Sequence, residues 1–239
     1  MGNRSNGIKR ILLLLLCLAL LGSLISCGSR ETAPHPQPGT PEIPEELPTI
    51  PDETPPAHDP TLVVYFSRVG NTDFPRDVDA VSSASINQAG GDLKGNAQLM
   101  AEWMADELDG DLVEIQTEYT YPIDYQNTID AAKQEQTNRA RPALISPLGS
   151  LDGYTTVYLV SPIWWSDLPM AVYSFFDAHD FAGKTIVVSV THGGSGFSRT
   201  VDTVRSLEPE ADVVEGLALP GEGVADAEGI VRQFIRDMQ

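Results

Sequence analysis

Apolar positions along the chain fall into two kinds of run. Leu62 to Ser67 (LVVYFS), Thr156 to Ser161 (TVYLVS) and Thr185 to Val190 (TIVVSV) are short and apolar at nearly every position, as strands buried on both faces are. Asp111 to Gln116 (DLVEIQ) alternates like a strand, and Val213 to Leu219 is a last one. Between these lie segments of helical period. Gln98 to Leu108 sets Leu99, Met100, Trp103, Met104 and Leu108 close to one face. Met170 to His179, Phe197 to Leu207 and Ala225 to Met238 read as helices, and Tyr125 to Arg139 is a polar segment of helix formers. No internal repeat interrupts the series.

Strands alternating with helices require a parallel α/β sheet covered on both sides. Right-handed crossovers then bring every strand's carboxyl end to one edge, where ligands of such sheets bind. The segments just after the strands therefore carry the functional expectation.

The ends of the chain stand apart from this domain. Arg4, Lys9 and Arg10 precede an apolar run from Ile11 to Leu24, shorter than the roughly 20 residues a membrane-spanning helix needs. The run ends in 24-LISC-27, which resembles a bacterial lipobox. That resemblance makes residues 1–27 a signal peptide with its lipobox, and implies cleavage just before Cys27 and lipidation of Cys27. Cys17 and Cys27 are the two cysteines of the chain. Losing one and acylating the other leaves no thiol for a disulfide, a metal site or a nucleophile, which suits a location outside the cytoplasm. Residues 28–60 hold ten of the eighteen prolines and too little apolar surface to offset ordering entropy. They read as a disordered tether, extended at about 3.1 Å per residue and so reaching roughly 100 Å. Residues 61–239 are left as one domain.

The formal charge is −19 and includes the three leader cations. Such acidity argues against nucleic acid, whose binding rests on cationic neutralisation of phosphates. It also disfavours anionic lipid, so the expected membrane link is the lipid on Cys27 alone.

Three segments after strands carry candidate chemistry. The first, 67-SRVGNT-72, is a Ser/Gly/Asn/Thr turn of the kind whose backbone N–H groups cradle phosphate. The strand with this turn resembles the flavodoxins, whose phosphate loop reads Ser/Thr-x-Thr-Gly-x-Thr. Ser67, Gly70 and Thr72 fit that pattern, and Val69 stands where a Thr is usual. The second, 161-SPIWWSDLP-169, holds adjacent indoles, one of which tends to point outward and suits stacking on a flat heterocycle. It resembles the Pro-Ile-Trp-Trp loop of a flavodoxin-like subfamily. The third, 191-THGGSGFS-198, resembles that subfamily's Gly-Gly-Ser-Gly-Phe loop, whose glycines allow close approach to a planar ligand. Ser195 and His192 also invite a hydrolase reading, but 193-GGSGF-197 is not a Gly-x-Ser-x-Gly elbow.

The resemblance extends over nearly all of residues 61–239, including 139-RARPAL-144 and 180-DFAGKT-185. It implies a doubly wound sheet of five parallel strands in the order 2-1-3-4-5. It also implies FMN, held by Ser67, Arg68, Val69, Gly70, Asn71 and Thr72, by Asn96 and Ala97, by Pro162, Ile163, Trp164, Trp165 and Ser166, and by Thr191, His192, Gly193, Gly194, Ser195 and Gly196. The family's first helix normally opens on Gly-Asn-Thr, and 95-GNA-97 aligns with it after an insertion, residues 73–94. Two arrangements stay open. Either Ser67 to Thr72 is one intact cradle, or it shares the phosphate with Asn96 and Ala97 at the helix N-terminus, where the helix dipole acts. Within the insertion, Arg76, Asp77 and Asp79 are expected to cap a surface loop.

Three functions follow. One is an FMN electron carrier outside the cytoplasmic membrane, serving a redox partner protein or a small quinone-like acceptor. The alternative is an FMN-dependent NAD(P)H quinone- or nitro-reductase-like enzyme, to which 165-WSD-167 lends weight by replacing the flexible Gly peptide that one-electron carriers of the family rely on. The third is a binding module that kept the fold and lost the flavin.

Overall fold

The five strands read from the sequence form one parallel sheet. The computed structural model describes residues 60–75, 85–89, 91–145 and 148–239, which lie in the compact unit Glu53–Gln239. The leader, the lipobox with Cys27, nearly all of the proline-rich segment, and Arg76, Asp77 and Asp79 fall outside the described residues. The strands are β1 (Thr61–Tyr65), β4 (Asp111–Glu114), β5 (Thr156–Pro162), β6 (Thr185–His192) and β7 (Asp212–Pro220). They pair in the order β4-β1-β5-β6-β7, all parallel, which is the expected 2-1-3-4-5 order.

Side chains alternate between two cores, as the strand period of two requires. Leu62, Val64 and Phe66, with Val157, Leu159, Ile186, Val188 and Val190, face α3 (Met170–Ala178) and α4 (Thr200–Leu207). Val63, Tyr65, Tyr158, Val160 and Val187 face α1 (Asn96–Leu108) and α5 (Glu228–Met238). The near-continuous apolar reading of these strands follows from this double coverage. Among the described residues no helix is long and apolar enough to cross a membrane.

Three expectations are corrected. The insertion, read as loop, contains an antiparallel ribbon, β2 (Ile86–Ala89) with β3 (Asp92–Gly95), and β3 runs directly into α1. Buried Ile86 anchors the ribbon, and Ala89 pairs with Asp92; the Gly-Gly pair between them in the sequence is a hairpin signal that periodicity alone passes over. Strands β5 and β6 run further than the apolar runs indicate. Pro162 pairs with Thr191, and His192 with Pro220, so Thr191 and His192 end a strand rather than open a loop. The segment expected to be helical from Phe197 starts only at Thr200, because Ser198 has φ +52°.

Candidate functional site

The carboxyl ends of three neighbouring strands, β1, β5 and β6, enclose a cavity of about 320 Å³ with α2 (Tyr125–Asn138) as a further wall. Arg68 after β1, Pro162 to Trp165 from the last residue of β5 onward, and Thr191 to Gly193 from the end of β6 onward line it. Ser85 and the α2 residues Tyr125, Thr128, Ile129 and Ala132 complete the lining. Of the residues expected at a flavin, Arg68, Pro162, Ile163, Trp164, Trp165, Thr191, His192 and Gly193 are thus brought together. Ser67, Val69 to Thr72, Asn96, Ala97, Ser166 and Gly194 to Gly196 do not line it.

The two Gly-Asn turns have become two structural joints. Val69–Asn71 forms a 3-10 turn that leans on the edge strand β4. Buried Asn71 donates from Nδ2 to the carbonyls of Ser67 (2.8 Å) and Ile115 (3.0 Å). Its Oδ1 accepts from the Thr117 N–H (2.8 Å) and hydroxyl (3.0 Å). All its side-chain polar groups are therefore spent on tying the end of β1 to the segment after β4. A Cβ added at Gly70 would fall on the Glu114 carboxylate, the flexible end of a side chain. Thr72's buried hydroxyl has no hydrogen-bond partner among the described residues. The second turn works differently. Gly95 caps α1 and donates its N–H to Gln98 Oε1 at 3.2 Å. An added Cβ there would fall on the Ser67 hydroxyl, so Ser67 is where the two turns meet. Asn96 donates from Nδ2 to the Gly221 carbonyl (3.1 Å), and its N–H to the Ser85 carbonyl (3.0 Å).

Arg68 is 2 % exposed although charged. Its Nη2 donates to the carbonyls of Pro122 (3.0 Å) and Ile123 (2.6 Å), and the guanidinium lies 4.9 Å from the Phe74 ring centre. Burial lowers its pKa, while Tyr125 and Asp124 act in the opposite direction. A buried cation thus stands at the β1 end of the cavity in an otherwise acidic chain.

The tryptophan segment is a tight turn. Trp164 and Asp167 exchange N–H···O bonds at 2.8 and 3.1 Å, and both central residues have left-handed φ, +51° at Trp165 and +63° at Ser166. Such a turn normally selects Asn or Gly, so α2 has to hold it. The Trp165 indole N–H donates to the Ile129 carbonyl (2.9 Å), Gln136 donates to the Trp165 carbonyl (3.2 Å), and Lys133 sits 4.8 Å from the indole centre. The two indoles divide as expected: Trp165 is 45 % exposed, and Trp164 packs edge-on against Phe66 and Tyr121. Asp167, buried, accepts from the Leu168 N–H, Thr203 Oγ1 and Tyr173 Oη, each at 2.9 Å, and from Arg199 Nε at 3.0 Å. Because Arg199 and Thr203 sit at the start of α4, this carboxylate ties the tryptophan turn to the helix that follows the glycine loop. In that loop Gly194 donates its N–H to His192 Nδ1 at 2.9 Å. Gly193, Gly194 and Gly196 have open space where a Cβ would stand, and Gly194 and Gly196 need their positive φ of +114° and +58°.

Sequence reading missed the α2 wall and the Asp167 joint. The first had a signal: positions 125, 128, 129 and 132 recur at i, i+3, i+4 and i+7, and this face of a mostly polar helix turns to the cavity. The joint joins residues far apart in sequence and had none.

With this geometry in view, the family follows. Residues 87–233 match the family model described as flavodoxin, and the chain belongs to the flavodoxin family. Among solved structures, a protein described as a flavoprotein from Bacteroides uniformis is 29 % identical over 74 % of this chain and 97 % of its own, with a TM-score of 0.56. One from Bacteroides eggerthii, 23 % identical over 72 % of this chain and 97 % of its own, superposes at 0.51 and shares the fold. A flavoprotein from Lactobacillus acidophilus, solved in complex with FMN, is 19 % identical over 70 % of this chain and 97 % of its own, at 0.48. No curated protein matches the sequence.

Proposed function

We propose that the chain is an FMN-binding redox protein, an electron carrier held outside the cytoplasmic membrane by lipid on Cys27. The observation that carries the redox reading is one cavity closed by the ends of three neighbouring strands, with two indoles on one side and an open glycine loop on another. When bound, FMN would supply the electron chemistry, and the protein sets its orientation, potential and access.

The residues fit that group. Exposed Trp165 and the edge of Trp164 offer flat apolar surface to a heterocycle. The glycine loop lets backbone N–H groups approach its polar rim. For the phosphate we place the split arrangement first, because Ser67 abuts the N-terminus of α1, where the helix dipole favours an anion. Thr72's buried, unpartnered hydroxyl is a further group suited to an anion. Arg68 supplies positive charge in a surrounding that otherwise repels negative charge on the bound group.

A second reading, a reductase acting on a small planar acceptor with a nicotinamide donor, has its own support. Helix α2 clamps the Trp165 indole and carbonyl, so that peptide is poorly suited to swing during one-electron steps. Dithionite titration of the chain with added FMN, followed in the visible spectrum, separates the readings. Two resolved one-electron steps support the carrier, and a single two-electron step supports the reductase. Absence of bound colour overturns both and leaves a binding module.

A further inference from the structure

The aromatic wall of the cavity continues behind Trp164 to the surface. Trp164 meets Tyr121 edge-on with ring centres 5.1 Å apart, and Tyr121 meets Tyr119 in the same way, also at 5.1 Å. Trp164 lines the cavity, Tyr121 is 1 % exposed and Tyr119 is 47 % exposed. Three oxidisable rings therefore run unbroken from cavity to solvent. Packing alone does not account for the middle one. A phenylalanine would fill the same space without a buried hydroxyl, and burying one is costly unless it finds a partner. That hydroxyl donates to Glu135 Oε2 of α2 at 3.1 Å.

We infer that Trp164, Tyr121 and Tyr119 form a one-electron route between the cavity and the surface, with Glu135 taking the Tyr121 proton. A radical oxidant at the cavity, such as a peroxyl radical, takes an electron from the Trp164 indole, is itself reduced to its anion, and leaves the indole radical cation. Tyr121 returns an electron to the indole while its phenolic proton passes to the Glu135 carboxylate, which leaves a neutral phenoxyl. Tyr119 then gives an electron to Tyr121, Glu135 hands the proton back, and the Tyr119 proton goes to water. A one-electron reductant in solvent, such as an enediol, restores Tyr119 with a proton from water. Burial, with the charge of Glu135 adding to it, raises the Tyr121 phenol well above its ordinary range, so the proton stays on until oxidation. Burial also raises Glu135, against the opposing effect of its bond from Tyr121, and makes it the better proton acceptor.

The route needs only a radical oxidant at the cavity and stands apart from the flavin reading proposed above. Pulse radiolysis of the full chain with azide radical, an oxidant that takes electrons from indoles, needs no flavin, so the two claims fail separately. The expected result is a concentration-independent decay of indolyl absorption matched by growth of phenoxyl absorption. Trp164→Phe and Tyr121→Phe each abolish that phase, and Trp103→Phe retains it. Glu135→Gln slows it and removes its solvent deuterium effect, a readout that a merely structural role would not move. A phase of unchanged amplitude in Tyr121→Phe or Trp164→Phe, with the unfolding midpoint showing the variant folded, overturns the route. So does an unchanged rate in Glu135→Gln.

Discussion

The turns Gly70-Asn71 and Gly95-Asn96 look alike in sequence and do different work. Asn71 turns inward and ties β1 to the segment after β4 through four side-chain hydrogen bonds. Asn96 opens a helix and reaches across to Gly221 beyond β7. Neither side chain is spent on the cavity. What the first turn contributes to the site is Arg68, and what the second contributes is a helix N-terminus held against Ser67. A glycine-asparagine pair after a strand marks a place where backbone must bend closely, and the packing around it decides what the bend is for.

The sharpest way to break this contrast is to delete each amide. Asn71→Ala leaves the Ile115 carbonyl and the Thr117 N–H buried without their partner, while the Thr117 hydroxyl keeps the Tyr119 carbonyl. It is expected to cost about 3 kcal/mol in urea unfolding, since net bonds contribute about 1 kcal/mol each and unmet buried groups add to that. Asn96→Ala is expected to cost roughly half as much. Equal losses would show that the two joints are not distinct.

Gly95→Ala comes next. Its Cβ collides with the Ser67 hydroxyl, and overpacking of this kind costs about 1–3 kcal/mol. The Ser67→Ala, Gly95→Ala double variant should recover part of that loss, a coupling of about 1 kcal/mol. Strict additivity would mean that Ser67 and Gly95 do not touch. Gly70→Ala should be milder, because its obstacle is the flexible end of Glu114.

A smaller effect of opposite sign is expected at Ser166, exposed at φ +63°. Ser166→Gly should stabilise by up to about 1 kcal/mol, because a left-handed backbone strains any residue with a Cβ. A loss of stability there would show that the tryptophan turn is not strained.

The smallest expected effect depends on pH. Burial, with Asp180 and Asp177 nearby, pushes the Glu208 carboxyl from its ordinary 4.5 up to about 7. The folded chain therefore keeps a proton that the unfolded chain has already released. This contribution to stability is full below about pH 4.5, declines as pH rises, and is lost by about pH 7. Glu208→Gln should flatten that decline in a series of unfolding midpoints. An identical slope in the variant would assign the pH dependence elsewhere.

The sequence revealed the sheet more readily than the site. Strands apolar at every position, such as 62-LVVYF-66, announce burial on both faces, and their alternation with helices leaves few topologies. The tryptophan and glycine segments were legible because an exposed indole pair and a run of glycines are hard to account for by packing. The Asn71 joint was not legible, because its partners Ile115 and Thr117 lie 44 and 46 residues away. Neither was the clamp on Trp165, which depends on where α2 docks. The ribbon Ile86–Gly95 was missed for a local reason, since Gly90-Gly91 marks a hairpin only if the weak strands beside it are recognised.

The central claim is that the cavity between β1, β5 and β6 holds FMN across Trp164 and Trp165. Titrating FMN into the chain while following flavin emission tests it most directly, with riboflavin as the ligand lacking phosphate. The account predicts saturable quenching by FMN, weaker binding of riboflavin, and weaker binding of FMN by Trp165→Ala and Gly95→Ala. Flavin emission that never changes, or changes equally in Trp165→Ala, would contradict it.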